Sequence, residues 1–217
     1  LGTIKRSTGQ FSRVSAPTSA PLGLAYRGVT DRFYAVDASQ RLIVIEPATG
    51  VGTPGPFITG APFRVSDITH DPRIDRIIGV CNANGQFVSI NPLTGVSTNI
   101  GAAGGGNVVG VALLTATGQT FALDCVPAAQ GGPILVSVNR STGARVTIGP
   151  LGAGLTTLQC LAWDDDQQKL FSLDTLGSRL VKIDGSTGAA TIVGPTSALW
   201  LAGSGGIAYR RIERVCF

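Results

Sequence analysis

Apolar residues in this chain arrive in short bursts of four or five, and the three-to-four spacing of an amphipathic helix is almost absent. Residues 23–26, 67–70, 110–113, 160–163 and 206–209 are small apolar runs; residues 32–36, 76–80, 120–123 and 169–173 are richer in aromatic and branched side chains. A third series, at 41–45, 86–90, 134–138 and 179–183, alternates apolar with polar residues, and a Thr-Gly turn then leads into a fourth, such as 190–195. Runs this short, bounded by turn residues, predict β-strands throughout, with small residues suited to a crowded inner edge and branched or aromatic ones to a pleated, half-buried surface.

The Thr-Gly phrase recurs five times: Ile4-Lys5-Arg6-Ser7-Thr8-Gly9, Val44-Ile45-Glu46-Pro47-Ala48-Thr49-Gly50, Ser89-Ile90-Asn91-Pro92-Leu93-Thr94-Gly95, Ser137-Val138-Asn139-Arg140-Ser141-Thr142-Gly143 and Lys182-Ile183-Asp184-Gly185-Ser186-Thr187-Gly188. Its threonines are spaced by 41, 45, 48 and 45 residues. A period near 45 built only from strands points to the blades of a propeller. Asp or Asn at the first turn position, Pro where φ is near −65° and Gly where φ is positive specify a tight hairpin of the type I plus bulge kind. We therefore expect an all-β, five-bladed β-propeller of four-stranded antiparallel blades, a single domain over 1–217.

The predicted blades span about 22–58, 65–102, 108–150 and 157–195, and the ends complete one another. The chain opens on a third and fourth strand (residues 1–4 and 10–14) and closes on a first and second (206–210 and 214–217), so residues 205–217 plus 1–16 would form a shared blade. Two half-blades closing a ring leave no open sheet edges, whereas the same halves paired between molecules would make a homo-polymer by strand exchange.

Composition narrows the function classes. Hydrophobic residues make up 43% and charged residues 14%, which supplies a core and excludes disorder. The net charge of +4 comes from 14 Arg and 3 Lys scattered without a run, which argues against nucleic acid. No apolar stretch is long enough for a membrane span. The start at Leu1, the lack of Met and the lack of a signal-like leader suggest a processed or excised form suited to export. Cys81, Cys125, Cys160 and Cys216 lack zinc-site spacing, and their even number leans toward disulfides outside the cytosol. Four cysteines allow three pairings; Cys81 and Cys125 end corresponding second strands, which favours that pair and leaves Cys160 with Cys216, and four buried free thiols are the alternative.

The stretch Leu180-Val181-Lys182-Ile183-Asp184-Gly185-Ser186-Thr187-Gly188-Ala189-Ala190-Thr191-Ile192-Val193-Gly194 resembles the L-x-x-I-D-x-x-T-G-x-x-T-x-I-G repeats of secreted and surface β-propellers of bacterial type. The resemblance covers the whole chain through its five units. It implies the blade and a secreted or cell-surface location, and it says little about activity, because one fold hosts many functions.

Ligand-binding candidates are the polar loops between second and third strands, at Asp37, Asn82, Asp124 and Asp174, although such residues also belong in any turn. The loops between blades, residues 57–63, 104–107 and 198–201, are further candidates. Trp200 lies outside the strand pattern, either stacking on a ligand or plugging a gap. Asp67 and the lone His70 could form a site near the axis, whereas residues 164–166, three aspartates, read as a solvated turn. The only glutamates, Glu46 and Glu213, sit in turns, and no paired-carboxylate site is visible. No cofactor and no metal-ligand set are expected. The sequence thus favours a non-enzymatic binding module that presents its loops to a glycan or protein partner. A metal-assisted hydrolase or lyase in the central channel, and a structural subunit of an extracellular polymer, are the competing readings.

Overall fold

The computed structural model describes residues 2–13, 21–125, 131–155, 157–196 and 206–210. Strands dominate, and the one helical element among the described residues is the single 3-10 turn Gly28–Thr30. After the hairpin β1 (Gly2–Ile4) and β2 (Phe11–Arg13) come four antiparallel sheets, each threaded from its inner strand outward. Blade 1 is β3 (Leu24–Arg27), β4 (Arg32–Val36), β5 (Arg41–Ile45) and β6 (Gly52–Phe57). Blade 2 is β7 (Val65–Asp71), β8 (Arg76–Cys81), β9 (Gln86–Ile90) and β10 (Ser97–Ile100). Blade 3 is β11 (Val108–Leu113), β12 (Thr120–Asp124), β13 (Ile134–Val138) and β14 (Arg145–Pro150). Blade 4 is β15 (Leu158–Asp164), β16 (Lys169–Asp174), β17 (Arg179–Ile183) and β18 (Ala190–Pro195).

This is a β-propeller, and the expected strands match the observed ones closely. The expected count of five complete blades is corrected, however: the described residues form four complete sheets and the two-stranded β1–β2. Residues 214–217, expected to supply the second strand of the fifth sheet, lie outside the described residues.

The apolar residues form layers between sheets. One layer joins blades 1 and 2 through Val36, Leu42, Ile68 and Ile77, and the next joins blades 2 and 3 through Ile78, Phe87, Val111 and Val136. The third joins blades 3 and 4, where the rings of Phe121 and Trp163 stack at 5.8 Å. The fourth sets Cys160, Phe171 and Leu180 of blade 4 against Ile4 and Ile207. Sheets buried on both faces require near-continuous apolar strands. For that reason β9 and β17 are buried almost throughout and the alternation expected of third strands is lost, whereas the outermost β18 is half-buried or exposed along its length.

The Thr-Gly turns serve two roles at once. Within the blade 2 hairpin, Asn91 Oδ1 accepts the amide of Leu93 at 2.9 Å, and the amide of Gly95, at φ 74°, donates to Asn91 O at 2.8 Å. The same glycine also seats the turn on the outer strand of the blade before it. A Cβ at Gly95 would overlap Phe57 O; at Gly143 it would stand 2.5 Å from Ile100 O, and at Gly188 2.6 Å from Gly149 O. Gly9, in the β1–β2 hairpin, repeats the contact on blade 4, 2.7 Å from Gly194 O.

Ion pairs repeat in the same way. Arg27 at the end of β3 grips Asp75 of blade 2 through two hydrogen bonds of 2.7 and 2.6 Å, and Arg210, in the matching position, grips Asp31 of blade 1 at 2.9 and 2.8 Å. Asp71 at the end of β7 pairs with Arg140 of the blade 3 hairpin, and Asp164 at the end of β15 pairs with Arg6 of the β1–β2 hairpin. Residues 2–13 and 206–210 thus make, with blades 4 and 1, the contacts that complete blades make with each other.

Substituting Gly143→Ala should lower stability to urea by about 1–3 kcal/mol through a strained φ plus the clash with Ile100 O. Gly152→Ala, at a similar φ of 65° with nothing within 4 Å, should cost visibly less, and the difference isolates the contact between blades.

Candidate functional site

The inner strands converge on the axis with little room between them. Gly23, Asp67, Gly110, Cys160 and Gly206 hold matching positions in the five first-strand segments. A Cβ at Gly23 would fall 2.6 Å from Asp67 Cα, one at Gly110 would fall 2.8 Å from the carbonyl carbon of Cys160, and one at Gly206 would overlap Leu24 N. Backbone meets backbone, so the axis is sealed at this level. Cys160 adopts a left-handed φ of 54° beside a ladder irregularity between Gln159 and Ala162.

Asp67 fills the middle. An innermost strand has one edge without a partner strand, and its amides need acceptors. Asp67 Oδ2 accepts the amides of Val111 at 2.9 Å and Leu161 at 3.2 Å, from two other blades. The residue is fully buried, and its Oδ1 has no hydrogen-bond partner. Burial pushes its carboxyl well above the usual carboxylate range, against the main-chain donors of Val111, Ile68 and Leu161, which favour the ionised form.

His70 does not join it. Asp75 Oδ1 stands 3.0 Å from His70 Nε2 and also accepts Arg27, so the expected Asp67–His70 site is replaced by an Arg27–Asp75–His70 latch between blades 1 and 2. Tyr26 donates to Asp31 at 2.8 Å in the same place one blade earlier. Burial lowers the imidazole pKa, with Asp75 opposing, while Arg27 and then His70 hold the Asp75 carboxyl far below its ordinary range. Sequence reasoning missed these latches; the usable signal was Arg27 and Arg210 closing matching strands, with Asp31 and Asp75 five residues after Tyr26 and His70.

Hairpin topology gathers the second-to-third strand loops and the connectors between blades at one end of the ring, away from His70. Asp37, Asn82, Asp124 and Asp174 therefore share that end, but three of them hold their own surroundings. Asp37 Oδ1 accepts the amides of Ser39 at 2.8 Å and Arg41 at 2.9 Å. Asp124 takes Arg145 at 2.9 Å. Asp174 takes Arg179 at 2.9 Å and the amide of Gly177 at 3.2 Å. Asn82 is exposed. The three-aspartate turn is not simply solvated either: Asp164 is buried beneath Arg6, and Asp165 accepts Trp163 Nε1 at 3.0 Å and Thr115 Oγ at 2.9 Å from blade 3.

The connector 57–63 stands out at the loop end. Its main chain is anchored, with the amide of Ile58 donating to Gln40 O at 2.8 Å and that of Thr59 to Gly95 O at 3.1 Å. Phe57 is 54% and Phe63 50% exposed on either side of that anchored stretch. The Arg41 guanidinium lies 5.0 Å from the Phe57 ring centre. Among the described residues no three side chains of His, Cys, Asp or Glu stand together as a metal site. Trp200 lies outside the described residues.

The cysteines correct the disulfide expectation. Cys81, Cys125 and Cys160 are free thiols. Cys81 belongs to the layer between blades 1 and 2 and Cys125 to that between blades 3 and 4, which is why matching strand ends do not bring their sulfurs together. Cys81 donates to Phe63 O at 3.3 Å, and burial pushes the Cys125 thiol up to about 11. Cys216 lies outside the described residues.

No family model matches the sequence, and no curated protein matches it. Among solved structures, one described as "Crystal structure of Nidogen/Laminin Complex" is similar with a TM-score of 0.62 at 15% identity, over 86% of this chain and 72% of the other. At that identity the likeness concerns the fold, which 597 solved chains share too widely to specify an activity.

Two outcomes follow from the latch and the thiols. Because the folded His70 binds its proton less readily than the unfolded chain, its contribution to stability should be full above about pH 6.5 and fall as pH drops below it. His70→Tyr, which copies the Tyr26–Asp31 pair, should flatten that part of a pH series of thermal melts. Without reductant, Cys81, Cys125 and Cys160 should react with a thiol reagent on unfolding, and mass mapping should show all three labelled.

Proposed function

We propose that the chain is a propeller ring closed by its own ends, in which residues 205–217 and 1–16 share the fifth blade, and that it serves as a binding module for a protein partner. The loop end is the binding surface. The observation that carries this reading is the pair of half-exposed rings, Phe57 and Phe63, on a connector whose main chain is pinned to blades 1 and 2. Rigidly held aromatic side chains are the usual anchors of protein interfaces, since little conformational freedom is lost on docking.

Closure within one chain is supported by Arg210 on Asp31 and Arg6 on Asp164, which satisfy both seams internally and leave the polymer reading without support. The axis argues against a channel enzyme, because Asp67 is enclosed and His70 is committed elsewhere. A location outside the cell is supported by the resemblance of the repeats to those of exported propellers. The protein-binding reading agrees with the similar solved structure being a nidogen–laminin complex. No helix among the described residues is long and apolar enough to cross a membrane.

The test is a binding screen of the wild type and a Phe57→Ser/Phe63→Ser variant against purified extracellular matrix proteins and a glycan array, beside lactone and ester hydrolysis assays. A protein ligand whose affinity falls at least tenfold in the variant, with an unchanged melting temperature, is expected. Turnover, or glycan binding that the variant retains, would overturn the reading.

A further inference from the structure

We propose that the axis of the ring is a proton-operated lock: Asp67 keeps its proton in the folded chain, and losing it at higher pH loosens the junction of β7, β11 and β15. The geometry is that of a carboxyl group with one oxygen served and the other enclosed. Oδ2 receives two amides, from Val111 and Leu161, while Oδ1 is buried without a partner. Ionised, the group would place a full negative charge where main chains approach almost to contact, faced only by the main-chain amides of Val111, Leu161 and its neighbour Ile68. A buried charge without a counter-charge costs several kcal/mol, and neutralisation by a proton is the common escape.

Among the described residues no counter-charge is paired with it. Beside Asp67 stand Gly23 from the start of blade 1, Val80 as its ladder partner on β8, Val111 from β11, and Cys160 and Leu161 from β15. Of these only the Cys160 thiol titrates, and burial holds it protonated. No Arg, Lys or His among the described residues forms a hydrogen bond or ion pair with Asp67. The other buried carboxylates among the described residues, Asp71, Asp124, Asp164 and Asp174, each have an arginine.

The lock reaches the closing seam as well. Leu161 follows Cys160, whose apolar cluster packs against Ile207, so the junction that Asp67 organises continues into residues 206–210. The sign is opposite to that of the His70 latch. An unfolded chain releases the Asp67 proton near pH 4 while the folded chain retains it, so this contribution is full below about pH 4 and shrinks as pH rises. The loss continues, about tenfold in the unfolding constant per pH unit, until the folded carboxyl ionises.

Urea unfolding of the wild type and Asp67→Asn between pH 4 and 9 tests this, since asparagine copies the neutral acid and all other titrations cancel in the ratio. The ratio of unfolding constants, wild type over variant, should climb about tenfold per unit from pH 4 before levelling. A ratio that does not change with pH overturns the proposal. Should the variant not fold, the ¹³Cγ shift of Asp67 in folded wild type decides: the protonated value at pH 7 supports the lock, and the ionised value at pH 7 overturns it.

Discussion

A strand at the centre of a propeller has a neighbour on one side and the axis on the other, and its inward amides cannot be paired by another strand. In this protein that constraint shapes the whole middle of the ring. Three of the five matching axial positions are glycine, so that main chains approach almost to contact, and a fourth is Asp67, whose carboxyl oxygen gathers amides from blades 3 and 4. Remove the glycines and the blades cannot converge; remove the acceptor and two buried amides lose their partner. The layers of apolar side chains between blades depend on that convergence, because they fill only the wedge left once the inner edges have met.

Outside the axis the ring is held by small, repeated backbone fittings. The Thr-Gly turns at Gly9, Gly95, Gly143 and Gly188 close their own hairpins and rest on the outer strand of the preceding blade, and each of these fittings needs a residue without a Cβ. This explains why the phrase recurs so regularly while the loops at the other end vary in length and composition. It also accounts for the first and last segments: Gly9, Arg6 and Arg210 make with blades 4 and 1 the contacts that Gly143, Arg140 and Arg27 make between complete blades. Each of these ion pairs keeps at least one partner partly in solvent, so its contribution is modest and its value lies in registering one blade against the next.

The same economy shapes the candidate site. Carboxylates at the loop end that looked available for ligands are turned toward their own amides and arginines, which makes the loops rigid and leaves them little free chemistry. What the loop end offers a partner is shape and apolar area on a fixed support, with Arg41 against one ring. Rigid presentation suits recognition, where order already present need not be created on binding.

Periodicity alone determined the blade, its four strands, its hairpin turns and the segments that the two ends resemble, because those features follow from neighbours along the chain: alternation, turn chemistry and a period near 45. Tertiary structure decided everything that depends on which blade faces which. Cys81 and Cys125 matched in sequence yet fell into separate layers, and Asp67 and His70, three residues apart on one strand, were committed to different blades. An Asp in a turn reads the same whether it caps its own loop or awaits a ligand, so Asp37, Asp124 and Asp174 could be assigned only once their donors were in place. Side-chain partners across a ring lie from about 40 to 180 residues away in sequence, and no local pattern records them.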